Sequence, residues 1–390
     1  MKQKHSHFLI PGILLLGIVL RAPFTTLSTV LSDIASGLGV EVSSLGLLTS
    51  LPLLTFAIFS PFAASWAKRF GIERLFLGVL IVMTLGSALR TLNLPLLYVG
   101  TLLVGAGIAF INVLLPSLIQ ANEPNQLGFL TTLYITAMGL STAVASSVAV
   151  PITKATSWQG LVWVLTAVCA LALVVWLPNV RHNHYLEQDT STSENSGSWY
   201  KSGKVWAIMI FGGLQSLFFY TTITWLPTMA TQSGVGEANA GILASVFTLT
   251  SIPFSMIVPS LITKLSNRNR HVMLVATVLA GLVGVAMLLV NTNSFVYWLI
   301  LNLLIGSSAS VLFPYMMVVF SMKASSPEKT AQLSGLAQTG GYIFAALGPV
   351  LFGSSQQLFN SWTPAVLILL VLTLIMGIAL YKVEKTDLIL

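Results

Sequence analysis

Charged side chains are scarce in this sequence. Only 7% of its 390 residues are Asp, Glu, Lys or Arg, whereas soluble domains carry about 25%. A chain with 55% hydrophobic residues and so little charge cannot cover a surface that faces water, which excludes an ordinary soluble protein. Its apolar runs are roughly 18–25 residues long, as in helices that cross a bilayer. The short alternating segments of an outer-membrane barrel are absent from the sequence.

The groups that most enzymes need are also missing from the apolar runs. The single cysteine, Cys169, excludes an internal disulfide and a multi-cysteine metal site. All eleven acidic residues and all five histidines fall in loops or near the ends of spans. We therefore predict no buried proton relay, no carboxylate sodium site, no metal centre and no cofactor. Without a nucleophile–base pair in the spans, an enzyme is disfavoured.

Hydropathy predicts an all-α membrane protein with two pseudo-symmetric six-helix bundles. The predicted domains are residues 1–177, a polar cytoplasmic linker at 178–203, and residues 204–390. The twelve predicted spans are 8–31, 44–67, 74–91, 94–119, 126–150, 159–177, 204–230, 238–263, 271–290, 294–322, 329–354 and 362–382.

Basic residues are concentrated in alternate loops, which predicts the orientation of the chain. Only Arg90 and Lys154 fall on the side opposite to the basic loops. By the positive-inside rule, both termini and the linker are cytoplasmic, in a bacterial cytoplasmic membrane. The net charge of +7 is thus a signal of topology and of contact with membrane lipids, and it does not indicate nucleic-acid binding. The basic loops carry Lys2, Lys4, Lys68, Arg69, Arg74, Arg181, Lys201, Lys204, Lys264, Arg268, Arg270, Lys323, Lys329, Lys382 and Lys385.

The two halves of the sequence resemble each other. The segment that begins FTTLSTVL at Phe24 is similar to the segment that begins YTTITWLP at Tyr220. An S-G-x-G turn follows in both, at Ser36–Gly39 and at Ser233–Gly236. Halves repeated in parallel predict a pseudo-two-fold axis along the membrane normal, and such folds bind substrate near the midplane.

Arg21 is the only charged residue inside the first predicted span. A charge at that depth costs at least about 2.5–3.5 kcal/mol, so it normally faces a partner or a water-filled cavity. Arg21 therefore predicts a substrate path, although a structural role in capping backbone carbonyls remains open. Polar and aromatic residues of other spans are further candidates for substrate binding: Phe24, Asn112, Tyr134, Gln215, Tyr220, Trp225, Asn302, Gln338 and Tyr342.

Several of these further candidates have a plainer alternative role. The side-chain amides of Gln215 and Gln338 can form hydrogen bonds between helices instead of binding a ligand. Tyr134 and Asn302 can simply pack against neighbouring helices, and Trp225 can anchor the chain at the membrane interface.

The loop after the second predicted span resembles a motif of the major facilitator superfamily, G-x-x-x-D-R-x-G-R-[RK]. The matching stretch is ASWAKRFGIER, residues 64–74. Arg69, Gly71 and Arg74 fit this motif. Ala64 replaces its first glycine, and Lys68 replaces the acid on which the superfamily's gating salt bridge is built.

A closer resemblance is to the cyanate and 2-nitroimidazole transporter branch of that superfamily. It covers nearly the whole chain and rests on LRAPFTTLSTVL, GAGIAFINVLLPSLI, GLQSLFFYTTITWLP and QLSGLAQTGGYIFAALGPVLFG. The resemblance implies a secondary transporter, active or facilitative, for a small anionic or polar electron-rich solute. Since the termini suggest no assembly domain, we expect a monomer. On this expectation Arg21 attracts the substrate. Efflux of neutral or hydrophobic drugs on the same fold is the alternative.

Overall fold

The computed structural model describes residues 6–41, 45, 47–186 and 202–389. Throughout this part of the chain the regular structure is helical, and no strand occurs in it. The helices are α1 (Leu9–Val19), α2 (Ala22–Thr25), α3 (Leu31–Leu38), α4 (Leu47–Phe70), α5 (Ile72–Leu89), α6 (Leu94–Asn122), α7 (Leu127–Ala155), α8 (Trp158–Trp176), α9 (Gly203–Gln232), α10 (Glu237–Lys264), α11 (Asn267–Met287), α12 (Phe295–Met322), α13 (Pro327–Phe359) and α14 (Thr363–Lys385).

The predicted all-α membrane fold is confirmed. Eleven helical stretches of the described residues are long and apolar enough to cross a membrane. Helix α4, with 24 residues, occupies the place of the predicted second span. Helices suit this environment because each backbone donor finds its acceptor inside the same segment, away from water.

Short polar residues mark where several helices begin. The side chains of Asn93, Ser157, Ser266 and Ser294 each accept a hydrogen bond from the backbone N–H three residues later. Such caps satisfy one of the free N–H groups at a helix start, typically stabilising the helix by about 1 kcal/mol. The starts of α6, α8, α11 and α12 are therefore encoded locally.

The first span is interrupted, unlike the continuous helix that hydropathy predicts. Helix α1 ends at Val19, and the chain restarts as the single turn α2 after Arg21. Pro23 causes this restart, because a proline has no N–H to donate and its ring clashes with the carbonyl four residues earlier. A 3₁₀ segment, Thr26–Val30, then leads into α3.

The described residues form two compact units. The first unit takes its residues from 1–190 and 325–339, and the second takes them from 191–324 and 340–390. A core of the first unit surrounds Trp158, and a core of the second surrounds Trp298 and Phe247. The division predicted from the sequence, at 177 and 204, stays a prediction.

A buried ion pair ties three helices of the second unit together. Arg270 of α11 donates from Nε to Glu384 Oε1 of α14 at 2.5 Å, and both side chains are less than one-tenth exposed. The hydroxyl of Tyr315, on α12, donates to Glu384 Oε2 at 2.7 Å. Asn267 Oδ1 accepts from Arg270 Nη2. Glu384 lies near a helix end, as predicted, but protein surrounds it.

Candidate functional site

Arg21 occupies the break in the first span. Its carbonyl oxygen accepts hydrogen bonds from the N–H groups of Phe24 and Thr25 and from the Thr25 hydroxyl, at 3.0, 2.9 and 3.0 Å. Its side chain is partly buried. No residue of the described ranges accepts a hydrogen bond from its guanidinium or pairs with its charge. Arg21 is thus a cation at an irregular point of a membrane span, and its N–H donors find no acceptor among the described residues.

A second arginine supports the same break. Arg90 directly follows α5 and is only 1% exposed. Its Nη1 donates to the carbonyl oxygen of Pro23 at 2.7 Å. Its Nε has no hydrogen-bond partner among the described residues. Sequence reasoning placed Arg90 in an external loop, since a position just after a helix does not reveal that the side chain folds inward.

Two polar candidates of the first unit contact each other. Gln338, on α13, donates from Nε2 to the carbonyl oxygen of Asn112 at 3.1 Å and to Ser334 Oγ at 2.8 Å. Gln338 and Asn112 are both buried. The Gln338 amide thus bonds across helices, which is the alternative role that the sequence left open.

The Phe24 ring lies edge-on to Phe56, with centroids 6.0 Å apart.

The indole N–H of Trp225 and the amide of Asn302 are already bonded to backbone carbonyls. Trp225 Nε1 donates to Pro349 O at 2.8 Å, and its ring packs on Trp362 at 5.2 Å between centroids. Asn302 Nδ2 donates to Trp298 O, one turn earlier on its own helix, at 2.8 Å. These bonds favour structural roles for both residues.

The remaining candidates are aromatic rings and one amide. Gln215 of α9 is buried, and five residues later Tyr220 is half-buried with its ring 5.2 Å from that of Phe219. Tyr342 of α13 is half-buried and Tyr134 of α7 is buried. Their roles in substrate binding stay a prediction.

The loop motif is built around Gly71. Its φ of +81° with ψ of 157° belongs to a region that is essentially restricted to glycine. A Cβ here would also lie 2.0 Å from Asn183 Nδ2. Asn183 fastens the chain after α8 to this loop, since its side chain donates to Phe70 O at 3.0 Å and accepts from Arg74 N at 3.1 Å. Because Gly71 has no side chain, the Asn183 side chain can reach the backbone of Phe70 and Arg74.

The two motif arginines lie on the surface. The Arg69 guanidinium lies over the Phe70 ring, 5.3 Å from its centroid. Arg74 Nη1 donates to the Tyr185 hydroxyl at 3.1 Å. Both side chains are exposed, so neither is part of an internal binding site.

A buried carboxylate also holds the segment after α8 against the start of α5. Glu73, in the first turn of α5, accepts hydrogen bonds from the His184 N–H at 2.6 Å and from Asn122 Nδ2 at 3.1 Å. His184 Nδ1 lies 2.7 Å from Glu73 Oε1. The hydrogen bond to Glu73 raises the pKa of the His184 imidazole despite its partial burial. Glu73 lies near a helix end, as predicted, but it is 1% exposed.

Lys68 has an acidic partner that the sequence did not reveal. Its ammonium pairs with Glu328, which lies in the first turn of α13. Two hydrogen bonds hold the same turn, from Ser117 Oγ to Pro327 O and from the Thr330 hydroxyl to Gln120. The position where the superfamily's motif has an acid thus still carries an ion pair, with the basic residue on α4.

We expect a charge-dependent loss of stability when Lys68 is changed to Glu, because two carboxylates would then face each other. The coupling of this partly exposed pair is about 0.5–1 kcal/mol in a double-mutant cycle. Adding Glu328→Lys restores attraction but removes a favourable negative charge from a helix start, so recovery is partial. Arg69→Glu is the matched control; an equal loss in Arg69→Glu, measured by thermal unfolding, would contradict the pairing.

Comparisons with known proteins agree with this fold. The family model described as Major Facilitator Superfamily matches residues 13–349 and 208–388. The chain is 34% identical to the "Uncharacterized transporter YycB" of Bacillus subtilis (strain 168), over 97% of this chain and 94% of the relative. It is also 34% identical to the "2-nitroimidazole transporter" of Escherichia coli (strain K12), over 96% and 95%.

A solved structure shows the same fold at low sequence identity. The crystal structure of the Escherichia coli fucose:proton symporter FucP matches with a TM-score of 0.75 and 14% identity, over 97% of this chain and 99% of that chain. The chain is therefore a multi-pass membrane transporter and not an enzyme, and it belongs to the major facilitator superfamily, in the branch that includes the 2-nitroimidazole transporter.

Proposed function

We propose that the chain transports a small anionic or electron-rich polar solute, of cyanate, nitro or carboxylate type, by rocker-switch alternating access. One observation carries the proposal. Arg21 is a cation at a break in a membrane span, and the described residues give its guanidinium neither an acceptor nor a counter-charge. A charge kept in that state at membrane depth is explained by a ligand that supplies the missing acceptor.

The electrostatics favour an anion or a polarised oxygen over a cation. A unit charge interacts far more strongly in a low-dielectric cavity than in water, so Arg21 would repel cationic solutes and attract negative ones. Guanidinium also matches carboxylate-like and nitro oxygens, because two parallel N–H groups can reach two oxygens. The 2-nitroimidazole of the relative's printed name carries such a nitro group.

The contacts of the further candidates favour substrate binding for some of them and a structural role for others. Gln215, Tyr220 and Tyr342 supply an amide and ring faces that could shape a binding site, and Phe24 lies one turn from Arg21. Trp225, Asn302 and Gln338 have amide or indole groups that already donate to protein acceptors, which supports a structural role for them.

The proposal extends to location and oligomeric state. The chain lies in a bacterial cytoplasmic membrane with both termini in the cytoplasm, because its basic residues are concentrated in alternate loops. It works as a monomer, because the two repeated halves of one chain suffice for the alternating-access fold.

Ligand-induced stabilisation of the detergent-purified chain tests the role of Arg21. We expect cyanate, nitrate, a small carboxylate or 2-nitroimidazole to raise the Tm of the wild type. Because hydrogen bonds to charged groups contribute about 1.5–3 kcal/mol, Arg21→Gln should weaken binding by about ten- to hundredfold. Arg21→Lys should recover part of it, since it keeps the charge but loses the two-pronged geometry.

Arg181→Gln is the matched control, because it removes one exposed arginine outside the spans. Equal Tm shifts in the wild type and Arg21→Gln would show that Arg21 does not bind the solute. Stabilisation of both proteins by neutral lipophilic compounds alone would favour drug efflux instead. Compounds that pass this screen then enter flux assays in proteoliposomes.

A further inference from the structure

A groove runs between helices α11 and α14 of the second unit. Its volume is about 300 Å³. Gly377 is the reason that the two helices approach so closely, since a Cβ at this position would lie 2.8 Å from Val278 Cγ1. Val278 and Leu274 are buried and form the floor. The groove is thus a fixed depression formed by the backbone of α14.

The walls of the groove are apolar and exposed. Val275 and Leu279 of α11 and Leu374 and Ile378 of α14 line it, and each is at least 43% exposed. In a membrane span, exposed aliphatic side chains contact hydrocarbon. An acyl chain that lies along such a groove gains contacts on three sides instead of one.

One end of the groove is polar and cationic. It is the end at which α11 begins and α14 ends. The rings of His271 and Tyr381 lie there with centroids 5.2 Å apart, and Lys385 Nζ lies 4.6 Å from the centroid of Tyr381. Glu384 also lines this end, but Arg270 neutralises its charge.

The remaining charges at this end are mostly positive. Arg268, Lys382 and Lys385 are exposed, and the only exposed acid nearby in sequence is Asp387. The groove therefore combines an apolar channel with excess positive charge at one mouth. This arrangement is complementary to a molecule with a long apolar chain and a single anionic head.

We propose that this groove binds an anionic phospholipid, with an acyl chain along α11 and α14 and the phosphate beside Lys382 and Lys385. The inference does not depend on the transported solute, because no residue of the groove belongs to the proposed substrate site. A zwitterionic lipid fits the apolar channel equally well but gains little from the cationic mouth, so the head group determines selectivity.

Native mass spectrometry of the delipidated, detergent-purified full chain tests this proposal. The probes are phosphatidylglycerol, phosphatidylcholine with identical acyl chains, and glycerol phosphate as the head group alone. We expect one phosphatidylglycerol to bind at least about fivefold more tightly than phosphatidylcholine. The variant Lys382→Gln/Lys385→Gln should weaken the affinity for phosphatidylglycerol about twenty-five-fold, since each basic residue near the surface contributes roughly fivefold.

The matched control is Arg69→Gln/Lys264→Gln, which removes the same charge from exposed residues that do not line the groove. A second variant, Leu279→Trp, places an indole in the channel and should weaken both lipids while leaving the mouth intact. Thermal unfolding confirms that each variant is folded.

Several outcomes would overturn the proposal. They are equal binding of the two lipids, an equal loss in the control double variant, and binding of glycerol phosphate as strongly as the whole lipid. A doubled mass that Leu279→Trp abolishes would instead assign the groove to a second copy of the chain.

Discussion

Arg270→Met is expected to lower the free energy of unfolding by about 3–5 kcal/mol. The reason is Glu384, whose side chain is 5% exposed and, among the described residues, keeps only the Tyr315 hydroxyl as a hydrogen-bond donor to its carboxylate after the change. A carboxylate left in that state must either remain charged without its counter-ion or take up a proton, and both cost free energy. The loss therefore exceeds the value of the ion pair itself.

The double variant Arg270→Met/Glu384→Gln separates these two contributions. Because the unpaired buried carboxylate is removed as well, most of the lost stability should return, while the Tyr315 hydroxyl keeps an acceptor. Arg268→Met is the matched control: it removes the same charge two residues earlier on α11 from an exposed position, and should change stability by less than about 0.5 kcal/mol.

Chemical denaturation in detergent at a fixed detergent concentration measures all four proteins. If Arg268→Met proved as costly as Arg270→Met, general charge loss would explain the effect. If the double variant were no more stable than Arg270→Met, the unpaired carboxylate would not be the cause.

Gly71→Ala is expected to destabilise the chain by about 2–6 kcal/mol, from two independent causes. The backbone conformation costs a residue with a Cβ about 1–3 kcal/mol. The new methyl also collides with the Asn183 side chain, which must move and lose its bonds to Phe70 and Arg74. Overpacking of this kind typically costs a further 1–3 kcal/mol or so.

Gly78→Ala provides a contrasting control within the same helix. Gly78 lies inside α5, is exposed, and has no atom within 4 Å of the position of a Cβ. Alanine there should stabilise the chain by about 0.5–1 kcal/mol, because glycine is the poorer helix former. Thermal unfolding of the two variants should therefore show shifts of opposite sign; destabilisation by both would indicate a general intolerance of α5.

Some features of this protein follow from its sequence alone, and others do not. Hydropathy and the repeat of Phe24 at Tyr220 were sufficient for the all-α fold, because bilayer thickness and backbone hydrogen bonding leave few alternatives. The break at Arg21 was missed, although Pro23 signals it, because a hydropathy window averages over single residues.

The other features that the sequence did not predict depend on contacts between residues far apart in the chain. Lys68 and Glu328 are 260 positions apart, and no local pattern connects them, so replacement of the motif acid looked like a lost ion pair. Arg90 and Arg270 counted as loop cations, since charge counting sees position along the chain but not the direction of a side chain. The sequence identified polar groups as candidate binding residues. It could not show which of them already form hydrogen bonds with neighbouring backbone.

Arg90 has a consequence for engineering the protein. Arg90 is buried with one carbonyl acceptor, and its Nε has no partner among the described residues, so it contributes little to the free energy of unfolding. Apolar replacements of buried ions are often neutral or favourable. Selection for heat resistance alone would thus tolerate its loss. The same loss would remove the hydrogen bond to Pro23 that holds the turn carrying Arg21. If Arg21 binds the solute as proposed, heat tolerance and transport are opposing demands at this one position.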